Sequence, residues 1–101
     1  MRLNDFSTVR HLGAAFLLLT ATGFAGTAEG VKALEAKNYA TAYRELKAGA
    51  DQGDAVAQLK LGQMYARGLG VEKDVPMALD LYQKAAAQGN AQAEFALGFV
   101  Y

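Results

Sequence analysis

The stretch Asp54–Gly89, DAVAQLKLGQMYARGLGVEKDVPMALDLYQKAAAQG, contains two amphipathic helical patterns separated by a glycine-bearing turn. In the first, about Ala55–Arg67, the residues Ala57, Leu61, Met64 and Tyr65 fall on one face. In the second, Ala78, Leu81, Tyr82, Ala85 and Ala86 do the same. Asp54 and Asp74 stand where a side-chain oxygen would cap each helix, and Pro76 lies in a first turn, where its missing N–H costs nothing. Gly68-Leu69-Gly70-Val71 turns the chain, Gly89 closes the second helix, and Gly62 would let a neighbouring helix come close.

Working outward, a shift of 36 residues superimposes the chain on itself. Ala42/Ala78, Ala50/Ala86, Gln52/Gln88, Gly53/Gly89, Ala55/Ala91, Ala57/Ala93, Leu61/Leu97, Gly62/Gly98 and Tyr65/Tyr101 are identical. These matches fall on expected inner-face and turn positions. A fixed period of this kind marks a helical solenoid, in which each repeat buries its apolar face on its neighbours. Upstream, Tyr39, Ala42, Tyr43, Leu46 and Ala50 form a further stripe, with Gly49 inside it calling for a packing reason. Glu29 to Asn38 reads as a short amphipathic helix with Val31, Ala33 and Leu34 inward, and Asn90 opens a fifth helix carrying Ala93, Leu97, Gly98 and Tyr101.

The spaced set Ala57, Leu61-Gly62, Tyr65, Gly68-x-Gly70-Val71, Asp74, Ala78, Tyr82, Ala85-Ala86 and Gly89 resembles the Sel-one-like repeat, a relative of the tetratricopeptide repeat. Residues 42–53 resemble the second half of a preceding unit, with Leu46 where the family usually has an aromatic, and 90–101 the first helix of a following one. The resemblance implies an all-α fold: an α/α solenoid of antiparallel helix pairs in a right-handed superhelix, with about two repeats. A complete repeat would span about 54–89, with partial repeats at 39–53 and 90–101. It also implies an adaptor or scaffold. The two loop glycines, Gly68 and Gly70, are expected at positive φ, so that a loop longer than that of the tetratricopeptide period of about 34 residues can close.

The first thirty residues have a different character. Arg2, Arg10 and His11 precede an apolar run from Leu12 to about Ala25, which shows no polar face and ends in small residues. A basic start, an apolar core of roughly 7–15 residues and small side chains before a cut are the marks of a secretory leader. Gly26-Thr27-Ala28 supplies such side chains, so residues 1–28 are expected as a signal peptide cut after Ala28, with an uncleaved anchor as the alternative, and 29–101 as the repeat domain. Secreted or periplasmic localisation follows, with the membrane met only during export. Without a cysteine, disulfides, thiolate metal sites and lipidation after the run are excluded. Ten basic and ten acidic residues balance, and no basic cluster suggests nucleic acid.

Catalytic chemistry has little to draw on in residues 29–101. The one histidine, His11, lies in the leader, so neither a Ser/His/Asp arrangement nor imidazole ligation of a metal is available. Asp51 with Asp54, and Glu72 with Asp74, sit at helix ends, where capping accounts for them. Gly68-x-Gly70 follows a helix and lacks the Gly-Lys-Ser/Thr ending of a phosphate loop. No catalytic, cofactor or metal residue is therefore assigned.

The expected activity is that of an exported, non-enzymatic adaptor that binds a protein or peptide along its helices. The alternatives are a truncated piece of a longer scaffold and, by family analogy, a hydrolase. Contact candidates on the first helices of the repeats are Gln58, Gln63, Gln92, Glu94, Phe95, Phe99 and Tyr101. Phe99 lies off the Ala93/Leu97/Tyr101 stripe and stands where the preceding repeat has Gln63. The apolar fifth helix lacks its partner helix, so its face is expected to be covered by a partner, by self-association, or by sequence lost through truncation.

Overall fold

A computed structural model describes residues 26–100. The basic flank and apolar run of the expected leader, and Tyr101 of the expected contact set, lie outside the described residues. Within them the chain is all helix. Residues 26–35 form α1, followed by α2 (Tyr39–Asp51), α3 (Ala55–Arg67), α4 (Val75–Ala87) and α5 (Ala91–Val100). Packing runs between chain neighbours, α2 on α3, α3 on α4 and α4 on α5, with the α3–α4 pair the most extensive. That is the expected solenoid arrangement, in which each unit rests on the next.

The helix boundaries follow from caps that recur with the period. Asp54 and Asn90, 36 residues apart, begin α3 and α5: Asp54 Oδ1 accepts from the Val56 N–H at 3.0 Å, and Asn90 Oδ1 from the Ala93 N–H at 2.9 Å. Asn38 and Asp74 do the same for α2 and α4, through the N–H groups of Thr41 and Met77. At the other ends, α2 and α4 close with matching bond pairs. Gly53 donates to Ala50 and Asp54 to Gly49, while Gly89 donates to Ala86 and Asn90 to Ala85. This is the Schellman closure, which needs a left-handed residue one place beyond the cap. Gly53 (φ 91°) and Gly89 (φ 86°) supply it, and Gly68 and Gly70 take the positive φ expected of the loop.

α1 ends the same way without a glycine. Lys37 donates to Leu34 and Asn38 to Ala33, and Lys37 itself adopts φ 62°. The sequence reading let this helix run to about Asn38. Its pattern persists that far, but the closure stops it at residue 35. The start of α1 differs as well. Residues 26–28, read as the end of a leader, are already helical. Thr27 is buried and its hydroxyl donates to Asp54 Oδ2 at 2.6 Å.

Two apolar clusters meet at α3. Ala57, Leu61 and Met64 join Ala42, Leu46 and Ala50 of α2 and Leu81 of α4. Leu59, 1% exposed, joins Ala78, Tyr82 and Ala85 of α4 and Ala93 of α5. The inner faces expected from periodicity are therefore buried, but α3 is covered on a second side that a single stripe does not reveal. Close approach is set at Gly62, where an added Cβ would stand 2.7 Å from Cε1 of Tyr82. The packing reason called for at Gly49 is present too, since a Cβ there would meet Thr27 Oγ1 at 2.5 Å and the Ala57 Cβ at 2.9 Å.

Two substitutions test this account in urea or heat denaturation. Gly62→Ala forces the Tyr82 ring from its seat and is expected to cost about 1–3 kcal/mol, the range for overpacking a tight core. Lys37→Gly relieves a left-handed side chain and is expected to stabilise the protein by about 0.5–1 kcal/mol, net of the extra freedom glycine gives the unfolded chain. A Lys37→Gly protein less stable than its parent would show that the Lys37 conformation carries no strain.

Candidate protein-interaction groove

The first helices of consecutive repeats, α3 and α5, bound a groove floored by Tyr82 of α4. It encloses about 650 Å³. From α3 come Lys60, Gln63 and Arg67, spaced i, i+3, i+7, and from α5 come Gln92, Phe95 and Phe99 with the same spacing. That spacing places each trio on one helix face. Phe95 and Phe99 are 75% and 85% exposed. A wall of this kind stands open to solvent, so the groove suits a chain segment laid along it better than a small molecule enclosed within it.

Four of the seven contact candidates, Gln63, Gln92, Phe95 and Phe99, are thus brought into one groove. The register distinguishes the two aromatics. Phe99 occupies the position of Gln63, which lines the groove in its own repeat. Phe95 occupies the position of Leu59, which is buried by α4 and α5. Phe99 is therefore at a groove position, whereas Phe95 is at a core position whose cover, in the preceding repeat, is another pair of helices.

Gln58 has a different role from the one expected of it. It is 5% exposed, its amide donates to the Ala50 carbonyl at 3.4 Å, and its carbonyl accepts from Gln88 Nε2 at 2.9 Å. It pins the last turn of α2 to the end of α4, because α3 lies between them. Helical periodicity places it beside Ala57 on a boundary face, and only the second covered side of α3 takes it out of solvent. Glu94, its counterpart one repeat on, is exposed and lies away from the groove.

Lys60, Arg67 and Tyr82 belong to the groove but were absent from the expected set. The first two share the helical phase of Gln63, which is the signal that would have found them. Neither is ion-paired among the described residues, and no carboxylate lines the groove. The groove therefore carries positive charge within a chain of zero net charge. Burial pushes the Tyr82 phenol up, and the Arg67 charge offsets part of that rise. A second, smaller hollow on another side of α3 is charge-paired instead, with Lys47 bonded to Asp51 at 3.0 Å and Lys84 to Asp80 at 3.2 Å. Chemically, then, the α3–α5 groove can hold apolar and anionic groups. Among the described residues no cluster of three or more side chains is arranged to hold a metal ion.

Beside the core, the Tyr43 and Tyr65 hydroxyls lie 3.0 Å apart with their rings edge to face. That hydrogen bond, followed by burial, pushes the Tyr65 phenol from its ordinary 10.0 up to about 12. The folded protein thus holds this proton more tightly than the unfolded chain does. Its contribution to stability is complete below pH 10 and is lost as pH rises from there towards 12. Ultraviolet titration of the phenolates should show a tyrosine that ionises near pH 12, and Tyr43→Phe should move that ionisation to lower pH. A Tyr43→Phe protein that titrates like its parent would show the bond to be without effect.

Residues 55–90 match the family model described as "Sel1 repeat". The chain is 41% identical over 51 residues to the ERAD-associated E3 ubiquitin-protein ligase component HRD3A of Arabidopsis thaliana, covering 50% of this chain and 8% of that protein. It is 42% identical over 45 residues to DAP3-binding cell death enhancer 1 of Rattus norvegicus, covering 45% and 9%. A similar match, 42% over 45 residues, is found in the putative sel1-like repeat-containing protein L18 of Acanthamoeba polyphaga mimivirus, covering 45% and 8%. The chain thus spans less than a tenth of the length of these relatives. With the recurring caps, the Gly62–Tyr82 contact and the solenoid packing already in place, residues 55–90 are a Sel1 repeat.

Proposed function

We propose that the protein is an exported, non-catalytic adaptor, secreted or periplasmic, whose α3–α5 groove receives an apolar, acid-flanked segment of a protein partner. The observation that carries this reading is Phe99. A large aromatic at 85% exposure stands at a groove position, beside Phe95 and opposite the unpaired cations Lys60 and Arg67. Exposed aromatics on a groove wall are costly to leave in water and are the side chains that most often dominate binding energy. The two cations suit carboxylates flanking an apolar anchor and would set the orientation of the segment. The apolar run behind a basic start supports export. The matched relatives lend general support, since one is named as a ligase component and another as DAP3-binding.

Selection of a displayed random-peptide library on the purified protein tests the groove. Enriched peptides are expected to pair aromatic or aliphatic residues with Asp or Glu. Phe99→Ala should weaken their binding tenfold or more, about 1.4 kcal/mol, with the helix content unchanged. Lys60→Glu together with Arg67→Glu should weaken acidic peptides and steepen no other dependence. Peptides indifferent to both changes would rule the groove out as the binding surface.

A further inference from the structure

We infer that the leader is removed at the Ala25–Gly26 bond, so that the mature protein begins at Gly26 and keeps Thr27. This rests on the export reading above and fixes where the processing falls. At the end of the apolar run two peptide bonds follow an alanine that has a small residue two places before it: Gly26 and Ala28 flank Thr27 for a cut after Ala28, and Gly23 and Ala25 flank Phe24 for a cut after Ala25. Only the second leaves the folded domain whole.

Thr27 is built into that domain. It is 6% exposed, and its hydroxyl donates at 2.6 Å to Oδ2 of Asp54, whose other oxygen caps α3. It fills the space that Gly49 leaves by having no Cβ, since a side chain at 49 would collide with Thr27 Oγ1. A glycine inside a helix costs about 1 kcal/mol relative to alanine, and that cost serves packing only while Thr27 and Ala57 occupy the space. A cut after Ala28 would remove Thr27, leave Asp54 Oδ2 without this donor and open a void beside Gly49. It would also place the new terminus one residue before Gly30, which is pressed against Leu46 at 2.8 Å (an added Cβ to Cγ). Helix ends fray over their first turn, so that contact would loosen as well.

An independent observation comes from charge. The Glu45 carboxylate lies against the Gly26 backbone, with Oε2 3.3 Å from where a Gly26 Cβ would stand. Cutting before Gly26 creates an ammonium on that residue, facing Glu45. An ammonium at a helix N-terminus is ordinarily unfavourable, and a carboxylate beside it offsets this.

The test expresses the full 101-residue chain with its own leader in a bacterium that has a general signal peptidase. The protein recovered outside the cytoplasm is then weighed intact, with its N-terminus sequenced. A chain starting at Gly26 is expected. A chain starting at Glu29 overturns the inference and leaves export standing, whereas an unprocessed chain starting at Met1 in the cytoplasm overturns both. Reciprocal substitutions sharpen the outcome. Ala25→Leu should stop processing, and Ala28→Leu, at an exposed position, should leave it at Gly26. The opposite pattern overturns the inference.

Discussion

The Tyr82 ring seated on Gly62 is the contact on which the rest of the structure depends. It sets how closely α3 and α4 approach, and that spacing lets Ala57, Ala78, Ala85 and Ala93 pack with almost no exposed surface. Alanine buries little area per residue. A core built from it gains stability from closeness, through many dispersion contacts at short range, and loses it quickly when helices are pushed apart. The same contact places Tyr82 beneath the groove, so the floor of the candidate site is also the wedge that holds the repeat together. At Gly98, which repeats Gly62 one period later, an added Cβ would meet no other described part of the chain within 4 Å. The surface that α3 turns towards α4 is thus presented a second time by α5.

Around that contact, order along the chain is imposed by polar turns. Asn38 and Asp74 cap the second helices, Asp54 and Asn90 the first helices, and the Schellman closures at Lys37, Gly53 and Gly89 come between. Each satisfies backbone groups that a helix end leaves unpaired. Because they recur at the period of the repeat, they fix register without dictating what the outer faces display. The faces are where the copies part: Gln63 becomes Phe99, Leu59 becomes Phe95 and Gln58 becomes Glu94. Two of those three changes bring aromatic surface to the groove.

The helices α3, α4 and α5, with their caps and inner faces, were legible in the sequence because cap chemistry and a 3.6-residue stripe are local signals. Leu59 and Gln58 were not, since a stripe assumes one buried side and α3 has two. The start of α1 was hidden for another reason. Gly26, Thr27 and Ala28 are small, and small residues serve equally for tight helix packing and for peptidase recognition. The groove was half legible: Gln63, Gln92, Phe95 and Phe99 were found from their place on the first helices. Lys60 and Arg67 were passed over because a chain with zero net charge gives no hint of a local cationic patch.

That patch bears on how such a module would recognise anything. Two exposed phenyl groups can bind many apolar segments with similar strength, since dispersion and burial carry little directional information. Lys60 and Arg67 restrict the set. A segment lacking carboxylates would leave both cations facing a drier groove and lose part of their hydration without replacement. A segment with carboxylates at that spacing would keep both satisfied. In the proposed complex the aromatics would thus supply strength and the cations discrimination. Tyr82 couples the two to the fold, because any change that shifts α4 on Gly62 moves the floor on which Phe99 and Arg67 face each other. Stability of the repeat and the position of the groove floor are thus tied together through Tyr82, whereas Lys60 and Arg67 can be changed without touching the Gly62 contact.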